Sequence, residues 1–196
     1  MSAVALWAPA RAIRLDFTEE EIRCARTVGV DLVGDPNPGS SDYVKRLAWL
    51  ADLVVYGVVD KLCSEPHGSH VTQVRIKVVS IKKGQLGAGR LTVALVSGPQ
   101  YSATLDRILE GRFDNEPSFA KGEAVLLFLT KGRIGAEDSE PAFSPPDRFY
   151  RLVDYSKFLV DGVTATLQGW GTGEYNVVRS DYEIRQVVAA QATNCR

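Results

Sequence analysis

The densest run of chemically capable side chains in this 196-residue sequence is Cys63-Ser64-Glu65-Pro66-His67-Gly68-Ser69-His70, which holds both histidines of the chain and one of its three cysteines. A thiolate and two imidazoles suit zinc or copper, and a loop can wrap a small ion. Cys63, His67 and His70 are therefore the candidate metal ligands, with Glu65 the nearest fourth donor. The Cys-x3-His-x2-His spacing is not that of a standard zinc site, so a polar hairpin loop with exposed histidines is the plainer reading. Cys63 with His67 or His70 is also the one conceivable nucleophile–base pair, but a hairpin loop holds such a pair poorly. No Gly-x-Ser-x-Gly elbow occurs, and no residue is assigned a catalytic role.

Other stretches are less specific. Gly84 to Gly89 (GQLGAG) follows Lys82 and Lys83, but it lacks the Gly-Lys-Ser/Thr ending of a phosphate-binding loop. It precedes a strand pattern and reads as a turn between strands. Gly169-Trp170-Gly171-Thr172-Gly173 sets an indole in a flexible turn. Tryptophan is enriched at binding hot spots, so Trp170 is a candidate partner-binding residue. The alternative is an indole folded back over the end of the fold. Tyr101 and Phe113 are further candidate contact aromatics, in a long connection from Ser97 to Lys121. Glu19 to Glu21 reads as a helix start, and Glu137, Asp138 and Glu140 as a solvated loop. Tyr56, Arg75 and Lys77 would be the stacking and basic residues of a face for single-stranded nucleic acid. A near-neutral composition without aromatic alternation on the outward strand faces weighs against that use.

These residues need elements to position them. Thr18 caps a helix, with Glu21 completing a capping box and Ile22, Ala25 and Val28 on one face. Gly34 to Gly39 is a loop, after which Ser41 and Asp42 open a second helix with Val44, Leu47 and Leu50 as its apolar stripe. The period then changes from helical to β. Asp52 to Lys61 is rich in β-formers, and Gly57 in its middle marks a bulge or sharp bend. From Val71 to Ile81, Val74, Ile76 and Val78 alternate with Gln73, Arg75 and Lys77, as in a half-buried antiparallel strand. Leu91, Val93 and Leu95 mark a third strand, and Ala124 to Leu129 (AVLLFL) one buried on both sides. Shorter strands are expected at Phe149 to Val153, Lys157 to Val160 and Val163 to Leu167, a short helix within Tyr101 to Leu109, and a last helix from about Asp181. A second long connection, Lys131 to Asp147, is rich in Gly, Pro and acidic residues.

The β region resembles a known pattern over Ala51 to Asp161. Its pieces are ADLVVYGVVDKL, VTQVRIKVVSIKKGQL, LTVALV and KGEAVLLFLTKG. They resemble the OB-like barrel of netrin-like domains, shared by tissue inhibitors of metalloproteinases, and more closely a group of uncharacterised bacterial exported proteins. The matching pieces are Lys83-Gly84, Gly122-Glu123 with Leu127-Phe128-Leu129, and Lys157-Phe158-Leu159-Val160. The resemblance implies a fold and an extracytoplasmic setting. Inhibitor activity does not carry over, because it uses an N-terminal cysteine and this sequence has Met1 there and no Cys-x-Cys. Nor can three cysteines supply the several disulfides usual in netrin-like domains.

Hydrophobic residues make up 45% and charged residues 24%, values that argue for a globular domain over disorder. A formal net charge of −1 supplies no overall field toward nucleic acid or acidic lipid. No apolar run approaches the roughly 20 residues of a membrane span. Ser2 to Ala12 is a short apolar stretch ending in Ala10-Arg11-Ala12, read either as the remnant of a signal peptide or as an arm of the mature fold. Cys24 and Cys195 fall on predicted helices flanking the β region and are the candidate disulfide; three reduced thiols are the alternative. The sequence therefore predicts a mainly β, OB-like (netrin-like) small barrel at residues 51–168. A helical arm at 1–50 precedes it, and a C-terminal turn and helix at 169–196 pack on it. Its expected role is a non-enzymatic binding or structural module, secreted or extracytoplasmic rather than cytoplasmic, that contacts a protein partner or a second copy of itself. It needs no cofactor; zinc or copper at Cys63, His67 and His70 is the alternative, and single-strand nucleic-acid binding the second alternative.

Overall fold

Side-chain patterning in the β region decides the architecture: β2 alternates buried and exposed residues, whereas β6 is buried on both faces. A computed structural model describes residues 17–34, 36–38, 40–64, 72–87, 91–95, 98–102, 105–111, 116–131, 150–168 and 173–194. Its elements in chain order are helices α1 (Glu19–Thr27) and α2 (Ser41–Leu50), then strands β1 (Leu53–Ser64), β2 (Thr72–Lys83), β3 (Leu91–Leu95), β4 (Gly98–Ser102), β5 (Arg107–Gly111), β6 (Ala124–Lys131), β7 (Tyr150–Asp161), β8 (Thr164–Gln168) and β9 (Gly173–Asn176), and finally helix α3 (Val177–Asn194).

Five strands close into a barrel in the order β3-β2-β1-β6-β7, with β3 and β7 meeting in parallel at Val93 and Tyr150. All other pairs around the ring are antiparallel. This strand order makes the barrel OB-like. β8 and β9 continue the sheet outward from β7.

The strands separate two apolar layers. Inside the barrel, Leu53, Val55 and Val59 of β1 meet Val74 and Ile76 of β2, Leu91 and Val93 of β3, and Leu152 of β7. On the outer face, Val54, Leu126, Phe128, Phe158 and Leu167 meet Val44 and Leu47 of α2 and Ile184 and Val187 of α3. β6 shows why its run is continuously apolar: Val125, Leu127 and Leu129 point into the barrel, while Leu126 and Phe128 point to the helices. Phe128 meets Phe158 edge-on at 5.4 Å.

The helices form where capping chemistry starts them. Thr18 and Glu21 close the expected capping box on α1: the Thr18 N–H donates to Glu21 Oε2 at 2.7 Å, and the Glu21 N–H to Thr18 Oγ1 at 3.2 Å. The second helix is capped by Ser40. Gly57 stands at a register shift, where an added Cβ would lie 2.6 Å from Ile76 Cγ2 and 2.8 Å from the Lys77 carbonyl. Gly84 has φ +80°, and an added Cβ would collide with the Asp52 carbonyl oxygen.

Three expectations need correction. The described residues of 101–109 form no helix but part of a hairpin, β4 with β5, separate from the main sheet. Tyr101, Leu105 and Leu109 have helical spacing, but Asp106 takes φ +46° and turns the chain back; aspartate tolerates that conformation. The two short strands expected at 149–153 and 157–160 are one strand, β7, carrying a bulge. Leu129 pairs with Leu152 and Leu127 with Lys157, so the four residues 153–156 stand opposite Phe128 alone, three more than regular pairing needs, with Asp154 at φ +48°. The last helix starts at Val177, not near Asp181, directly after an unanticipated strand, β9.

Candidate functional site

The sequence-derived site residues divide by position. Cys63 is the penultimate residue of β1, pairs with Gln73, is half-buried, and carries a free thiol. His67 and His70 lie outside the described residues, as do Phe113, Trp170 and Cys195. Tyr101 sits on β4 opposite Ile108. Cys24, buried on α1, is disulfide-bonded. Among the described residues no group of three or more His, Cys, Asp or Glu side chains is placed to hold a metal ion. Tyr56 does not join Arg75 and Lys77 in a stacking face: it packs against the outer apolar layer, while they are exposed.

The structure instead reveals polar contacts that sequence reasoning did not assign. Lys157, in β7, is fully buried. Its Nζ reaches Glu123 Oε2 at 2.8 Å and the Ser118 carbonyl at 2.7 Å, and lies 4.7 Å from the centre of the Phe119 ring. Glu123 Oε2 also accepts the Ala120 N–H at 2.9 Å. The group ties the segment 116–123 to the bulged strand. Such a buried cation is tolerated because carboxylate, carbonyl and ring together replace its water. The signal was present: Gly122-Glu123 and Lys157 are two pieces of the family-like pattern, and folding makes them partners.

Two further lysines fasten the helices. Lys83 Nζ donates to the Ala48 and Trp49 carbonyls at 2.8 and 3.2 Å, in the last turn of α2, where free carbonyls gather. Gln191 of α3 donates to the same Trp49 carbonyl at 3.0 Å. Burial pushes the Lys83 ammonium down to about 8, with Asp52 opposing the shift. Lys82 reaches Asp181 of α3 at 2.7 Å. Lys83-Gly84 is thus a helix clamp followed by a residue that must be small, which accounts for that piece of the pattern.

One open recess of about 290 Å³ lies beyond α1, lined by Arg26, Gly29, Val30 and Asp31. The Asp31 carboxylate there accepts the Gly34 and Val33 N–H groups, each at 3.0 Å, which hold its pKa below the usual value. That carboxylate is occupied in shaping its own turn. No described helix is long and apolar enough to cross a membrane. Compared with protein-family models and with curated proteins, the chain matches none.

Proposed function

We propose that this protein is a non-enzymatic binding module of an extracytoplasmic, netrin-like kind, acting through protein contacts. The observation that carries the reading is the β4–β5 hairpin. It forms its own two-stranded sheet inside the connection between β3 and β6 and places Leu105, 53% exposed, at its turn. An exposed apolar tip on a segment outside the barrel sheet is a feature of contact loops carried by a rigid scaffold. The disulfide at Cys24 supports an oxidising compartment, and Cys195 is its proposed partner. The buried polar groups described above support the scaffold role, since each bonds to another part of the fold.

The test is capture of partners from the native source by the whole chain and by its Leu105→Asp variant. Loss of a partner in the variant, with unchanged thermal unfolding, is expected. Retention of every partner would remove the hairpin from the reading. One observation favours a second reading, metal binding at Cys63, His67 and His70. Cys63 keeps a free thiol at the end of β1, immediately before that loop. Zinc or copper that raises the melting temperature of the wild type but not of Cys63→Ser would establish it.

A further inference from the structure

The outward face of β1, β2 and β3 carries three cations in a compact arrangement. Lys61 of β1 stands directly opposite Arg75 of β2, and Arg75 in turn opposite Thr92 of β3. Lys77, two residues along β2 on the same face, stands opposite Val58. All three cations are exposed. Among the described residues none of them has a hydrogen-bond or ion-pair partner, although exposed Asp60 neighbours Lys61.

Like charges directly opposite on neighbouring strands destabilise a sheet, by about 0.2–1 kcal/mol. Elsewhere in this fold Lys82, Lys83 and Lys157 have partners. The face also has an apolar component: Val58 lies beside Lys77, and Val79, at a register shift further along β2, is 60% exposed. Its other end adjoins the root of the β4–β5 hairpin, because the next row across the sheet is Cys63, Gln73 and Ala94, one residue before β3 ends.

We infer that this face docks an acidic segment of a partner protein, with carboxylates over Lys61, Arg75 and Lys77 and apolar side chains over Val58 and Val79. This rests on the protein-contact reading above and names the chemistry of its partner. Charge complementarity selects an acidic occupant. The face favours protein over single-stranded nucleic acid, because its rows of Val58, Lys61, Gln73, Arg75, Lys77, Thr92 and Ala94 contain no aromatic side chain on which bases could stack, and Tyr56, opposite the shift at Val79, is half-buried against the helix-covered layer.

The test uses the full chain and a synthetic peptide of alternating Glu and Val, titrated by calorimetry at low salt. Arg75→Glu with Lys77→Glu is expected to weaken binding by about tenfold or more and to flatten its salt dependence. Arg185→Glu, an exposed cation on α3, is expected to leave binding unchanged. Equal loss in both variants, or no binding by the wild type, overturns the proposal. So does tighter binding of oligothymidylate than of the peptide, or self-association in sedimentation that the double variant abolishes. The two proposals fail separately. If the double variant still captures the partner that Leu105→Asp loses, the binding-module reading stands and this face is not its docking surface.

Discussion

The sheet has two kinds of outer face, and their cations behave in opposite ways. Where helices cover it, Lys83 grips the end of α2 and Lys82 grips α3. Where no helix lies, Lys61, Arg75 and Lys77 stand exposed and unpartnered among the described residues. A third environment, the buried niche of Lys157, sharpens the contrast, because a cation there must be matched group for group. Covered cations hold the fold together. Bare ones contribute little to the fold, or cost it slightly, and are free to meet a partner.

This contrast can be broken by substitution. The largest effect is expected at the buried pair. Glu123→Ala would leave Lys157 buried with only a carbonyl and a ring, a loss of about 3 kcal/mol in urea unfolding; Lys157→Met should cost less, because it leaves Glu123 partly in water. Next is the disulfide: Cys24→Ala, or reduction by a dithiol, is expected to lower stability by about 2–4 kcal/mol, with mass spectrometry of the oxidised chain placing the bridge between Cys24 and Cys195.

Lys83 supplies a smaller, pH-dependent effect. Its pKa falls from 10.5 unfolded to about 8 folded, so between those values the unfolded chain binds more protons. Its contribution to stability should therefore rise as pH goes from about 8 to about 10.5, the cost of the buried charge being fully present below that window. Unfolding measured at both ends of the window should show wild type gaining relative to Lys83→Met. The smallest effect belongs to the bare face. Arg75→Glu is expected to leave stability within about 0.5 kcal/mol of wild type, on the favourable side, since it places unlike charges opposite one another at Lys61. A clear destabilisation by that substitution would show that the bare face is structural after all.

Much of the architecture was legible before folding was considered. The capping box at Thr18, the alternation in β2 and the doubly apolar run of β6 are short-range signals, each readable from a few neighbouring residues. The β4–β5 hairpin is not legible locally, because the four-residue spacing of Tyr101, Leu105 and Leu109 suits a helix as well as two strands flanking a turn. The split of β7 into two strands failed for a related reason. A bulge of residues 153–156 interrupts the alternation without ending the pairing, and only the neighbouring strand β6 shows that the two halves belong together. Of the candidate site, the ligand-type residues were visible as types, and Cys24 was a disulfide candidate, but sequence position could not choose between a bridge and three reduced thiols; the folded chain bridges Cys24 and leaves Cys63 free.

The sequence by itself determined the periodicities, the starts of the first two helices and the β-rich class, because these depend on local backbone chemistry and on which side chains avoid water; the OB-like barrel was implied only by the resemblance. Only the tertiary structure decided which charges are spent inside the fold. Lys157 finds Glu123 across 34 positions and Lys82 finds Asp181 across 99, pairings made by barrel closure and helix docking. Lys61 and Arg75 are brought together just as firmly by strand register, and the same geometry leaves them facing water.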